Sequence, residues 1–270
     1  IKGLMVLPEF RNGPIGYALM KTAVARLPRS GGLAVAAPAR RLFGALGYSD
    51  LGAIPNWVRP LAPGRMLHRL DVDALGMASI PAWAPALLMF GRATGLAALT
   101  GWAGGVMLRG LAAARRSGGP RLTCTPFDPR SHGEELDDLW GRVCPAFPSG
   151  VVRDRAYLAH RYPVGAGSPY EWLAVREGPL LAGIVVLRQP RTEGDPRLGG
   201  IRVATLVDML YDPARPALGM ALLGAVERAA RALEADAILG TASAPAHTTL
   251  FRRQFYLPIS GNVHFLFRDV

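Results

Sequence analysis

Along the chain, short apolar runs alternate with longer amphipathic ones, the pattern of strands and helices taking turns. Gly3-Leu4-Met5-Val6-Leu7 reads as a buried strand, closed by Pro8. Ile15, Leu19, Ala23 and Leu27 then form an apolar stripe with Lys21 and Arg26 off it, which predicts a helix over 15–27. A second strand is expected at 33–36, a short helix at 40–46 stopped by Gly47, and a strand at 54–61. From 121 onward the pattern predicts a strand at 122–124, an amphipathic helix at 134–143, and a hairpin of 171–176 with 180–188 turned at Glu177-Gly178. A long buried strand at 202–210, a long helix at 217–233, a strand at 237–241, a short helix at 248–254 and a closing strand at 263–267 complete it.

The stretch between, 63–120, differs in kind. It is rich in Gly, Ala, Pro and Trp and holds uncharged runs at 74–91 and 93–108 on either side of Arg92. Both runs are near the lower length limit for crossing a bilayer and neither is strongly apolar, so a helical interdomain segment is expected, with a membrane surface the less favoured partner. Three regions follow: 1–62, 63–120 and 121–270.

The order strand, loop, helix, strand, helix, strand occurs in both outer regions. A buried strand ending at Leu7 leads through a loop to a helix opening near Ile15-Gly16, and one ending at Leu210 leads to a helix opening near Leu218-Gly219. Each is followed by a short strand and a short helix, residues 41–48 against 249–256. Two matches in register point to a tandem duplication.

The 270 residues suffice for two domains of ordinary size, and half of them are hydrophobic, as in a globular protein. The net charge of +11 is almost all arginine, since Lys2 and Lys21 are the only lysines. These basic residues are scattered without interleaved aromatics, so nucleic acid is not the expected partner. Cys124 and Cys144 have no metal-type spacing, and reduced thiols of a cytoplasmic protein are expected. The histidines lie far apart, which argues against a metal, and no Gly-x-Ser-x-Gly, Walker or His-Glu-x-x-His motif is present.

Arg11-Asn12-Gly13-Pro14-Ile15-Gly16 follows a strand and opens a helix. First-turn amides lack intrahelical partners and the helix dipole is positive there, so this loop suits a pyrophosphate, with Arg11 adding a charged contact. A plain Gly/Pro helix start is the alternative. With its neighbours, Pro8 to Gly16 resembles the Arg/Gln-x-x-Gly-x-Gly/Ala signature of the GNAT (acyl-CoA) N-acyltransferases, and Gly47-Tyr48 is similar to a later segment of that family. Arg161-Tyr162, Pro169-Tyr170, the hairpin and Val207-Asp208 resemble GNAT-like proteins linked to polysaccharide biosynthesis. The resemblance implies an α/β (α+β mixed) acyl-CoA N-acyltransferase-like fold, a mostly antiparallel central sheet flanked by helices, duplicated. The first unit's opening strands are then expected upstream of Ile1. Acetyl-CoA or another acyl-CoA would lie on Arg11, Asn12, Gly13, Ile15, Gly16 and Tyr48, with no metal.

The chain departs from that pattern in places. Pro14 stands where Gly is usual, Phe43 where a tyrosine acid is usual, and Ala36 where an Asn is often found. In the second unit the matching residues are Phe251 and Ala244, and the loop from Asp212 to Gly219 is a poor pyrophosphate cradle. Asp208, an acid within a buried strand, is the candidate base with a raised pKa, and a satisfied structural carboxylate is the rival reading. His247 is a candidate proton shuttle, and Tyr162 and Tyr170 are candidates for lining an acceptor groove. The expected function is transfer of an acyl group from acyl-CoA to an amine on a small molecule or glycan. A Fem-type aminoacyl-tRNA-dependent transferase and a non-catalytic GNAT-like module are the alternatives.

Overall fold

A computed structural model describes residues 14–27, 29–33, 35, 37–69, 94, 96–117, 122–147, 151–192 and 199–269. The expected strand at 3–7, the loop residues Arg11, Asn12 and Gly13, Ala36 and the run at 74–91 lie outside the described residues. The chain is of mixed α/β class, with a mostly antiparallel sheet flanked by helices. It divides into two compact units, one made of Ile1–Pro55 with Ser260–Val270 and the other of Asn56–Ile259. These differ from the sequence boundaries at 62 and 120. The difference has a simple cause: residues 56–60 pair with 237–241, and residues 265–269 pair with 29–33.

In the first unit, helix α1 (Ile15–Ala25) precedes β1 (Arg29–Leu33), α2 (Ala37–Ala45) and the start of β2 (Ser49–Pro60). The chain's last strand, β8 (Leu257–Asp269), pairs antiparallel with β1, Arg29 opposite Asp269 and Leu33 opposite Phe265. Met20, Val24, Phe43, Tyr48 and Leu266 form its core. The stripe expected on α1 does not face that core. Ile15, Leu19 and Leu27 are between 41 and 49% exposed, while Met20 and Val24 are buried. Steps of four residues precess by about 40° each on a 3.6-residue helix, so a stripe spaced only by fours drifts around a helix that is apolar on several sides.

The second unit begins with residues 56–60 of β2 and the helices α3 (Pro63–Arg69) and α4 (Leu96–Ser117), so the described parts of 63–120 are helical. Strands β3 (Cys124–Pro126), β4 (Tyr170–Glu177), β5 (Leu180–Arg191), β6 (Val203–Tyr211) and β7 (Ala237–Thr241) follow. Their order is β2-β7-β6-β5-β4-β3, with β6 and β7 the parallel pair and every other described pairing antiparallel. Residues 181–187 of β5 are buried without a break, as befits a central strand covered on both faces. Val185 and Leu187 pack with Leu218, Leu222 and Val226 of α7 (Pro216–Ala232). Ile184 and Val186 pack on the other face, with Leu136 and Leu139 of α5 (Gly133–Val143) and Leu158 of α6 (Arg155–Arg161). The sequence pattern did not predict α6. It is seven residues long, and its start is fixed by Asp154, whose carboxylate accepts from the Tyr157 amide at 2.8 Å.

The short helices α2 and α8 (Pro245–Arg253) end alike. The Tyr48 amide donates to Phe43 O at 3.1 Å and Gly47 N to Gly44 O at 3.0 Å. The same pattern recurs in α8 as Tyr256 N to Phe251 O at 2.9 Å and Phe255 N to Arg252 O at 3.1 Å. Both are the paired 6→1 and 5→2 bonds of a Schellman ending, with Gly47 at φ 83° and Phe255 at φ 58° in the left-handed position. The stretches aligned in the sequence thus share a backbone conformation as well as a residue pattern.

Candidate active site

The parallel pairing of β6 and β7 runs from Val203 opposite Ala237 to Leu206 opposite Gly240 and stops there, although β6 continues to Tyr211. At the same point β6 carries a bulge: Val186 of β5 faces Asp208 and Leu187 faces Leu206, leaving Val207 as the extra residue. A bulge re-aims the side chains after it and frees ladder groups for other partners. Here the freed groups meet a polar cluster.

Asp208 is the centre of that cluster. Its Oδ1 accepts from Arg153 Nε at 3.0 Å and from the Met209 amide at 2.9 Å. The Tyr162 hydroxyl, directly after α6, points at both Val207 O (3.1 Å) and Asp208 Oδ2 (3.3 Å). Burial, and then the Asp208 charge, push the Tyr162 phenol well above its ordinary value, so it is a donor throughout the physiological range. Tyr170 meets the Tyr162 ring edge-on at 5.3 Å, and Trp172 Nε1 donates to Tyr162 O at 3.3 Å. The carboxylate expected to act as a base is therefore held by a guanidinium, an amide and a phenol.

His247 sits in the first turn of α8. Its ring lies 6.1 Å from Phe147 in a stacked arrangement and 5.5 Å from Tyr211. Its Nε2 is buried and has no hydrogen-bond partner among the described residues. Burial lowers the imidazole pKa, Arg153 lowers it further, and Asp208 opposes both. The folded state thus favours the neutral imidazole, within electrostatic reach of Arg153 and Asp208. The fold brings together Asp208, His247, Tyr162 and Tyr170, which are far apart in sequence. Arg153, Phe147 and Tyr211 belong with them and carried no sequence signal, Arg153 being one arginine among many.

The loop after β6 keeps its donors to itself. Asp212 accepts from the Ala214 amide through its side chain at 2.9 Å and from the Arg215 amide through its carbonyl at 2.9 Å. Arg215 is paired with Glu177. Gly219, in the first turns of α7, is covered: an added Cβ would stand 2.7 Å from Tyr211 Cζ and 2.6 Å from Leu250 Cδ2. Phe251, the position where a tyrosine acid is usual, is fully buried against Trp57 and Tyr256. In the first unit, α1 opens at Ile15 after Pro14, whose side chain supplies no cap. Tyr48, expected at the cofactor, is 6% exposed, with its ring edge-on to Phe43 at 4.8 Å and its hydroxyl 2.7 Å from Ser30 Oγ.

No family model matches the sequence, and no curated protein does. Solved structures do match. A GCN5-related N-acetyltransferase from Anabaena variabilis superposes with a TM-score of 0.57 at 10% identity, over 98% of this chain and 53% of that one. The fold is that of the GCN5-related N-acetyltransferases. A second such enzyme, from Kribbella flavida, matches the GNAT fold of this chain with a TM-score of 0.54 at 14% identity, over 100% of this chain and 51% of its own. Saccharomyces cerevisiae N-myristoyltransferase with bound myristoyl-CoA gives 0.54 at 12% identity, over 98% and 61%. The chain thus spans about half of the length of the GCN5-related structures it matches. Within the GNAT fold, the described residues hold no group of three or more His, Cys, Asp or Glu able to hold a metal, and no helix among them is long and apolar enough to cross a membrane.

Proposed function

We propose that the chain is an N-acyltransferase that moves an acyl group from acyl-CoA to an amine of a small-molecule or glycan acceptor. The cluster at the β6 bulge carries this reading: a neutral, buried imidazole with a vacant Nε2 beside a held carboxylate, within a fold shared with acyltransferases. The acyl-CoA pyrophosphate is assigned to the loop Arg11 to Gly16 and the α1 N-terminus. The acceptor is assigned to the cluster, with Tyr162 and Tyr170 along its groove. An ammonium loses its proton to His247. The free amine attacks the thioester carbonyl, the C–S bond breaks, and the CoA thiolate leaves as the thiol, with the proton that the attacking nitrogen gives up. Asp208 holds Arg153 and Tyr162 in place and balances the charge that forms on His247.

A non-catalytic GNAT-like module is the second reading, favoured by Phe43 and Phe251, both buried where a tyrosine acid is usual. Calorimetric titration of the full chain with acetyl-CoA and longer acyl-CoAs separates the two, followed by thiol-release assays over a panel of amines. Saturable binding lost in Gly16→Trp, with turnover reduced 100-fold or more in His247→Gln, supports the transferase. Binding without turnover supports the module, and no binding removes the acyl-CoA donor.

A further inference from the structure

The second unit has a cavity at the opposite end of α7 from Gly219, about 18 Å along the helix at 1.5 Å per residue. Its volume of about 830 Å³ is within the usual range of small-molecule sites. The cavity exists because α3 and α4 pack at their small residues: a Cβ on Gly101 would enter the Gly64 backbone, and one on Gly105 would stand 3.2 Å from Pro63 Cδ. Close approach there leaves the longer side chains to splay around an opening.

Those side chains are mainly cationic. Among the described residues, Arg65, Arg69, Arg109 and Arg231 line the cavity with His68, and Glu234 is the one acid of that lining. Three of the guanidiniums are held from behind. Arg65 and Arg69 share Asp236, a carboxylate only 1% exposed, and Arg69 also donates to Gly200 O at 2.9 Å. Arg231 donates to Leu61 O at 2.9 Å and to Glu227 at 3.0 Å. Arg65 and Arg69 remain about half exposed despite these bonds, so each still offers N–H groups outward. Glu234 is turned to solvent, with its side chain 81% exposed. Trp102, 68% exposed, stands on the rim.

We infer that this cavity binds a phosphate-bearing anion, through guanidiniums fixed in advance by buried carboxylates, with Trp102 offering its indole to whatever the phosphate carries. Fixed guanidiniums match phosphate oxygens in pairs and lose little freedom on binding, and a concave basic wall concentrates the field on the anion. The proposal does not depend on the acyltransferase reading.

The source of the phosphate is a soluble ester or a lipid headgroup, and two probes divide them. Both are applied to a Gly16→Trp chain, so that the donor loop does not contribute. Calorimetry with sodium pyrophosphate is compared with co-sedimentation on vesicles of phosphatidylglycerol in phosphatidylcholine and of phosphatidylcholine alone. Arg109→Glu and His68→Glu, both at exposed positions, are expected to weaken binding at least tenfold, with a melting curve unchanged. Saturable pyrophosphate binding with that loss supports a soluble ligand. Binding only to the anionic vesicles, with the same loss, supports a lipid phosphate. No binding to either probe, or binding that both variants leave intact, overturns the proposal.

Discussion

At the residue scale, His247 and Tyr162 give the sharpest expectations. The folded state lowers the imidazole pKa, so it favours the neutral ring, and protonation favours unfolding. The stabilising contribution of His247 is therefore present above its ordinary unfolded value, about 6.5, and is lost as pH falls below it. Melting temperatures between pH 7.5 and 5 should fall more steeply for the parent chain than for His247→Gln; parallel curves would remove the burial account. Tyr162→Phe leaves Val207 O without its phenol donor and should cost about 1–3 kcal/mol in a denaturant titration. Asp208 and His247 were legible as candidates because an acid in an apolar strand and a histidine at a helix start are unusual residues in their settings. Arg153 was not, because its partner stands 55 positions away and nothing in its own neighbourhood marks it.

At the element scale, local chemistry was readable where it is self-contained. Strand β7 occupies the predicted 237–241, and α7, α5 and the hairpin fall within a residue or a few of expectation. Gly47 ends α2 as predicted, in a conformation that costs a side-chain-bearing residue roughly 1–2 kcal/mol. Gly47→Ala should lower stability by about that amount, measured by urea titration, and an unchanged midpoint would mean the α2 ending is not fixed. Helix α7 also carries a feature that periodicity does not reveal. Glu227 lies between Arg231 at 3.0 Å and Arg59 at 3.5 Å, and the Arg59 side chain is only 1% exposed. Burial lowers the Arg59 pKa and Glu227 restores part of it. Removing one member of such a group strands the other, so Glu227→Ala should cost about 3–5 kcal/mol in the same titration. The stripe on α1 does not mark its buried face, because a helix apolar on several sides has no preferred face until a partner chooses one.

At the scale of the whole molecule, the last strand belongs with the first. β8 pairs with β1 across 240 positions, Arg29 meeting Asp269 at 3.0 Å, while β2 gives residues 56–60 to the sheet beside β7. Long-range pairing of this kind pays its loop-closure entropy late. A chain ending at Ile259 should lose the partner of β1 and become susceptible to proteolysis within 29–48, while 122–259 stays protected. Equal resistance in both forms, followed by mass spectrometry, would show that the first unit does not need β8.

The sequence by itself determined the α/β class, most of the second unit's elements and the repeated ending of α2 and α8, and it singled out Asp208 and His247 as candidates. These depend on periodicity and backbone chemistry within a few positions. Only the tertiary structure decided which strand completes which unit, that Tyr48 is core, that Tyr211 covers Gly219, and that Arg153 holds Asp208. Each of those depends on contacts between residues remote in the chain, and burial and charge pairing act on distance in space, which local sequence does not encode.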